Sequence, residues 1–270
     1  VSVYPTTVSA LYDYGFDPVG VYFVNPEGIS PRFRSSWEKA ERIGEVGELD
    51  LNKIAALEPD VIVGANYEWN TNYYSRLSKI APTVMAPSTE WREAAHTIAA
   101  AVGAFEKLAE MQKELDQNSA RIRNGFAKQL EAYRWDLIQE GGEGGEFLLY
   151  GPESGPGGVL TGAGVKLASG SAAVTGGEDA SYSSIGVTGG VEGVVTGSEI
   201  EVLDSAGVIG YLADFNGSPK NEDVLFGQQQ FKELAAVKAG RTVPMANLLP
   251  QGYGDALALL EQLEVGLKKL

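Results

Sequence analysis

The sequence has no cysteine, which removes disulfides, thiolate metal sites and cysteine nucleophiles. Histidine occurs once, as His96 in the helical stretch "EAAHTIAAAVG". A Ser–His–acid triad would have to be built on that residue alone, and no G-x-S-x-G turn accompanies it. Zinc and manganese sites normally recruit several imidazoles or thiolates, so direct metal binding is not expected. The phosphate-cradling patterns G-x-x-x-x-G-K-[ST] and G-x-G-x-x-G between strand and helix are also missing. No apolar run approaches the roughly 20 residues that span a bilayer. The chain opens inside what reads as a strand, "VSVYP", without a signal-peptide pattern. Basic residues are scarce: 21 Lys and Arg against 36 Asp and Glu leave a formal charge of −15. That balance argues against nucleic acid as a partner, because a polyanion would be repelled and no basic stripe offsets it.

What is present is the composition of an ordinary globular chain, 44% apolar and 21% charged over 270 residues. The first half alternates short apolar runs with helical patterns. "TTVSALYDYG" predicts a helix capped by Thr6 or Thr7 and stopped at Gly15. "PVGVYF" reads as a strand, and a short helix comes next near Trp37–Arg42. "LDLNKIAALEPD" predicts a helix with Leu51, Ile54 and Leu57 inward, closed by Pro59, before a strand at Val61–Val63. "TNYYSRLSKI" is helical and Thr83–Met85 a strand. Runs this short and apolar indicate a parallel sheet covered on both faces.

From Thr89 the pattern changes. One helix ends at Gly103. A second carries Phe105, Leu108, Met111, Leu115, Ile122, Phe126 and Leu130 at helical spacing, about 28 residues and roughly 40 Å. "QEGGEGGE" reads as a surface turn and "FLLYG" opens a second series. Residues 151 to 197 are crowded with glycine and serine, and stretch 155 to 190 reads as loop and turn. "SEIEVL" is a short helix capped by Ser198, "GVIGYLA" a strand, "NEDVLFGQQQFKELAAV" a helix, "RTVPM" a strand and "YGDALALLEQLEVGLKKL" a closing helix. "LNKIAALEPDVIVGAN" and "EIEVLDSAGVIGYLADFN" repeat one another weakly as helix, strand and polar loop.

Together "IGEVGELDLNKIAALEPDVIVG", "YSRLSKIAPTV", "YLADF" and "DVLFGQQQFKELAAVKAGRTV" resemble the ferric-siderophore-binding proteins of ABC importers. The wider group includes cobalamin and haem binders. The resemblance implies an α/β fold of two Rossmann-like lobes with parallel-type sheets, joined by one long helix, with a ligand cleft between them. The expected division is a lobe at 1–103, the connecting helix at 104–133 and a lobe at 134–270. The implied role is capture of an intact ferric chelate outside the cytoplasm, without enzymatic chemistry, and delivery to a membrane ABC permease. A monomer is expected, with no cofactor beyond the chelate and a lipid anchor in the precursor. A haem or cobalamin binder of the same fold is the alternative. A two-lobed nucleotide-sugar enzyme is disfavoured by the missing phosphate loop.

In open α/β sheets ligands sit beyond the carboxyl ends of strands. Tyr4 comes just after the first strand. The loop after the second bears Arg32 and Arg34, with Trp37 close behind. Tyr67 and Trp69 come after the next, in the aromatic stretch "NYEWNTNYYSRL". Aromatic faces offer large contact area at low rotamer cost. Guanidinium pairs bidentately with the carboxylate or catecholate oxygens of an anionic ferric complex. In the second half Tyr150, Tyr182, Phe215, Asn216 and Tyr253 occupy strand exits or loops. The resemblance also implies acids that dock on permease arginines; the nearest positions are Glu48 or Asp50 and Glu199 or Glu201.

Overall fold

Short apolar runs at the start of the chain build a parallel sheet around Ser2, which bridges Val21 on one side and Val63 on the other. The computed structural model describes residues 1–22, 29–45, 47–87, 90–140, 147–173, 194–195, 197–215 and 226–270. Residues 1–114 with 251–255 form one compact unit, and 115–250 with 256–270 a second.

In the first unit the Ser2 N–H donates to the Gly20 carbonyl at 2.9 Å and the Val3 N–H to that of Val63 at 2.8 Å. Gly20–Val21 pairs in parallel with Glu41–Arg42, and Ile62–Ala65 with Thr83–Ala86. All four residues of Ile62–Ala65 are buried, as expected of a strand covered on both faces. Ile43, Ile54, Ile62 and Leu77 are wholly buried in one cluster with Val3.

Helix Pro5–Asp13 differs from expectation at its start. Pro5 takes the first helical position, where its missing N–H costs nothing, and Tyr4 precedes it without a side-chain cap. Thr7 lies inside the first turn and donates to the Tyr4 carbonyl at 2.8 Å. The expected stop holds: Gly15 adopts φ +84°, which a residue with a Cβ rarely tolerates. Gly103 closes helix Trp91–Val102 the same way at φ +69°. Helix Leu51–Ala56 begins at Asp50, whose carboxylate accepts from the N–H groups of Asn52 and Lys53. The helix expected near Trp37 spans Arg34–Lys39, because Glu41–Arg42 is taken by the sheet. Of "TNYYSRLSKI", residues 71–80, a single turn at Tyr74–Leu77 is helical, and another turn, Glu68–Thr71, comes just before it.

The long helix is shorter than its periodicity suggests. It spans the 21 residues Phe105–Gly125, about 32 Å. Phe126 leaves helical geometry at φ −120° and ψ 26°, and Ala127–Ala132 starts a new helix.

The second unit holds a sheet in the order Thr242–Met245, Val208–Leu212, Trp135–Glu140, Phe147–Leu149, Val194–Val195. The first three are parallel, and Phe147–Leu149 runs antiparallel to both its neighbours, so this sheet is mixed. Its middle strand, Trp135–Glu140, was not expected from the sequence. Ile138, Phe147, Leu149 and Ile209 of this sheet are wholly buried in one cluster with Phe231 of helix Gln229–Glu233. The glycine-rich stretch read as loop includes the helix Gly155–Gly162, capped by the Ser154 hydroxyl, which accepts from the Gly157 N–H. Gly157 lies so close to the Gly151 carbonyl that a Cβ there would come within 1.8 Å of it. Among the described residues no helix is long and apolar enough to cross a membrane.

Candidate functional site

Tyr4 and Tyr67 leave the carboxyl ends of neighbouring parallel strands and meet there. Their ring centroids lie 4.8 Å apart with planes inclined by 35°. The turn carrying Tyr67 is tied down from beneath. The Tyr67 N–H reaches the Ala65 carbonyl at 2.9 Å, and the fully buried Asn70 donates its Nδ2–H to the same oxygen at 3.1 Å. Tyr67 keeps 37% of its surface open, enough for a ring face to meet a ligand. Trp69 lies in the next turn, and its side chain falls outside the described residues. Of the two tyrosines beyond it, Tyr73 packs against the core cluster and Tyr74 is exposed.

The cations expected beside these rings are otherwise engaged. Arg32 sits between two buried carboxylates: Nη1 donates to Asp255 at 2.6 Å and Nη2 to Asp13. The remaining oxygens are met by the Gly254 N–H at 2.9 Å on Asp13 and the Ser9 hydroxyl at 2.8 Å on Asp255. Burial pushes the Asp13 carboxyl above its ordinary range, with the Arg32 charge and the Gly254 N–H opposing the rise. Burial alone would lower the Arg32 value, but the two carboxylates raise it. An anion reaching Arg32 would have to displace one carboxylate and leave it buried and unpaired. The expectation of Arg32 as a ligand clamp is therefore corrected to a tie within the first unit. Arg34 donates to the Ile29 carbonyl at 2.9 Å.

Three expected aromatic wall residues are buried. Trp37 is 2% exposed, packed with Val8, Val21 and Phe33, and Arg42 lies 3.7 Å over its ring. Tyr150 is fully buried and donates its hydroxyl to Gln139. Tyr253 is buried, edge-on to Trp91 at 5.0 Å, and its hydroxyl accepts from Gln112 at 3.1 Å. Burial on this scale leaves none of the three with an open ring face. Phe215, in the second unit, is 36% exposed. Tyr182 and Asn216 lie outside the described residues.

Among the expected docking acids, Asp50 is occupied as the helix cap described above. Glu48 is exposed on the hairpin strand Glu48–Leu49 and borders a groove of about 450 Å³ with Arg42, Glu45, Asp50 and Lys53. Glu201 is exposed in the 3-10 turn Gly197–Leu203, and the Glu199 side chain lies outside the described residues. His96 is exposed, edge-on to Phe105 at 5.7 Å. Among the described residues no group of three metal-ligating side chains is placed to hold an ion.

One residue that the sequence reading passed over stands out at this edge. Arg92, in the first turn of the helix after strand Thr83–Ala86, lies 4.3 Å over the ring of the buried Trp91. The adjacency "WR" was the available signal, and it says nothing of geometry until the helix is in place.

Comparison with known proteins agrees with this architecture. The Fe(3+)-citrate-binding protein YfmC of Bacillus subtilis (strain 168) is 32% identical over 127 residues, 43% of this chain and 39% of that protein. The match thus spans about two fifths of that relative's length. The siderophore periplasmic binding protein from the fuscachelin gene cluster of Thermobifida fusca superposes with a TM-score of 0.80 at 23% identity, covering 100% of this chain and 96% of that one. Unliganded FhuD2 of Staphylococcus aureus gives 0.78 at 20% identity, over 100% and 97%. At such identities these structures establish the shared fold. Residues 25–184, more than half of the sequence, match the periplasmic binding protein family, and the chain belongs to it.

Proposed function

We propose that this chain is the solute-binding component of an iron importer, capturing an intact ferric chelate outside the cytoplasm and handing it to an ABC permease. The observation that carries the reading is the Tyr4–Tyr67 pair at the carboxyl edge of a parallel sheet, where open α/β sheets take their ligands. Two rings set at an angle, one with an open face, suit the curved, largely apolar flank of a wrapped metal complex. Membership of the periplasmic binding protein family supports the reading, as does the Fe(3+)-citrate binding named for the Bacillus relative and the siderophore named for the Thermobifida one. In this reading iron stays within its chelate and the protein touches only the chelate's outer surface. Glu48 and Glu201, both exposed, are the carboxylates among the described candidates that would dock on the permease. The protein acts as a monomer, lipid-anchored through its precursor, and performs no chemistry on the cargo.

The test is titration of the purified chain with ferric citrate, ferric hydroxamates, ferric catecholates, haem and cobalamin, monitored by tryptophan fluorescence. Saturable quenching by a ferric chelate is the expected result. Binding of haem or cobalamin with no response to any ferric chelate would move the assignment to those ligands.

A further inference from the structure

Asp136 sits on the middle strand of the second unit's sheet with no exposed surface. Its Oδ1 accepts from the Ser171 N–H at 2.7 Å, while Oδ2 is buried and has no hydrogen-bond partner. Ser171 is also fully buried, and its hydroxyl accepts from the Leu137 N–H at 2.9 Å. The short helix Ser169–Ala173 is thus tied to the strand at two consecutive positions. At Gly170 a Cβ would stand 3.0 and 3.1 Å from the two Asp136 oxygens and 2.9 Å from the Val202 carbonyl. The helix backbone therefore lies directly over the carboxyl group.

No charged group acts on this carboxyl group among the described residues. The covering helix and strand Phe147–Leu149 carry none, and strand Val208–Leu212 offers only the Tyr211 phenol. Glu201 and Asp204, on and after the turn Gly197–Leu203, are exposed, and the side chains of Glu199 and Glu140 lie outside the described residues. Lys166 is paired with Glu131, Arg134 is exposed, and Glu233 and Lys238 pair with each other. Without a cation the neutral acid is favoured, since ionisation leaves a dry, unpaired oxygen. Burial accordingly pushes the group up to about 6, the Ser171 contacts opposing. Ionisation strengthens the Ser171 bond to Oδ1 but brings no donor to Oδ2, which only water can then satisfy. The easiest way in is beneath Ser169–Ala173, "SGSAA", where just two of five residues are buried, against all five of Val208–Leu212. So little apolar contact makes it the element that opens first.

We propose that helix Ser169–Ala173 is a proton-operated cover, docked on the sheet while Asp136 is protonated and released locally when Asp136 ionises. Opening lets water reach the carboxyl group, which returns to its ordinary value of 3.8. Opening is rarest below about pH 4, rises between there and about pH 6, and levels off above, a change of about a hundredfold. The device lies within the second unit and is independent of the ligand proposed above.

Amide hydrogen exchange of the whole chain, read by NMR from about pH 4 to about pH 7.5 and corrected for intrinsic rates, tests it. Opening at the Ser171 and Leu137 amides should rise about a hundredfold up to about pH 6 and then stay level. It should change little with low urea, because a five-residue helix exposes little surface. The Ile209 amide, bonded to the Arg241 carbonyl in the same sheet, should instead follow urea steeply. In Asp136→Asn, which cannot ionise, opening at Ser171 and Leu137 should be independent of pH. The carbon-13 shift of the wild-type Asp136 carboxyl, which needs no variant, should titrate near pH 6. A flat pH profile in the wild type, a rise that persists in Asp136→Asn, or a carboxyl group titrating near its ordinary value would overturn the proposal. So would a urea dependence at Ser171 and Leu137 as steep as that at Ile209, since the whole unit and not the helix would then be opening.

Discussion

The rings of Tyr4 and Tyr67 touch across the ends of two adjacent parallel strands, 4.8 Å between centroids. Neither ring belongs to the buried core, and Tyr67 keeps an open face that the binding reading assigns to the ligand. Replacing Tyr67 by Ala is expected to weaken ferric chelate binding about tenfold, ~1.4 kcal/mol. Tyr67→Phe, which keeps the face, should stay near wild type. Fluorescence titration reads the affinity and a urea melt the stability. Equal loss of affinity in both variants would point to the hydroxyl instead of the ring.

Arg32 holds two carboxylates that are 1% and 3% exposed. Arg32→Ala leaves both buried and uncompensated, and a cost of about 3–5 kcal/mol is expected in urea unfolding. Gly254→Ala attacks the same cluster from the backbone, because its Cβ would stand 1.6 Å from the Arg32 guanidinium. If either variant unfolds at the wild-type midpoint, the cluster does not hold the first unit together.

Asp136 lies on the middle strand of the second unit, fully buried, with Oδ1 accepting from the Ser171 N–H at 2.7 Å. Burial pushes its carboxyl up to about 6, the Ser171 contacts opposing. A folded-state value above the unfolded one means the folded chain holds the proton more tightly. This contribution is therefore fully present below about pH 4 and lost as pH rises through about 6, on the order of 3 kcal/mol in all. The urea midpoint of the wild type minus that of Asp136→Asn should fall across that window. A flat difference would show that the carboxylate is not held out of water.

Asp50 accepts from two backbone N–H groups, Asn52 at 3.0 Å and Lys53 at 3.1 Å. Asp50→Ala should lose about 1 kcal/mol of stability and Asp50→Asn almost none, since asparagine caps equally well. Permease-coupled uptake unchanged in Asp50→Asn but reduced in Glu48→Gln would assign docking to the free carboxylate.

The first unit was the more legible from sequence. Gly15 and Gly103 stop helices where they were expected to, because a left-handed cap needs a residue without a Cβ. The strand expected at Val61–Val63 is found at Ile62–Ala65, and its run of apolar residues on both faces was the signal. Trp135–Glu140 was hidden by Asp136 and Gln139, polar residues that a central strand tolerates only when neighbours satisfy them. The helix at Gly155–Gly162 was hidden by its glycines, one of which is required by the nearby Gly151 carbonyl.

Among candidate site residues, the tyrosines at strand ends were readable, because strand direction alone decides which edge of the sheet receives the next few residues. The arginines were not. Arg32 and Arg34 looked free, yet the partner that commits Arg32 is Asp255, 223 positions away.

By itself the sequence determined the class of fold and the absence of thiol or multi-histidine chemistry, since apolar spacing and composition act locally and need no partner. Only the tertiary structure decided which charges are spent inside the protein and which remain outward, because an ion pair forms between groups brought together by folding, whatever their separation along the chain.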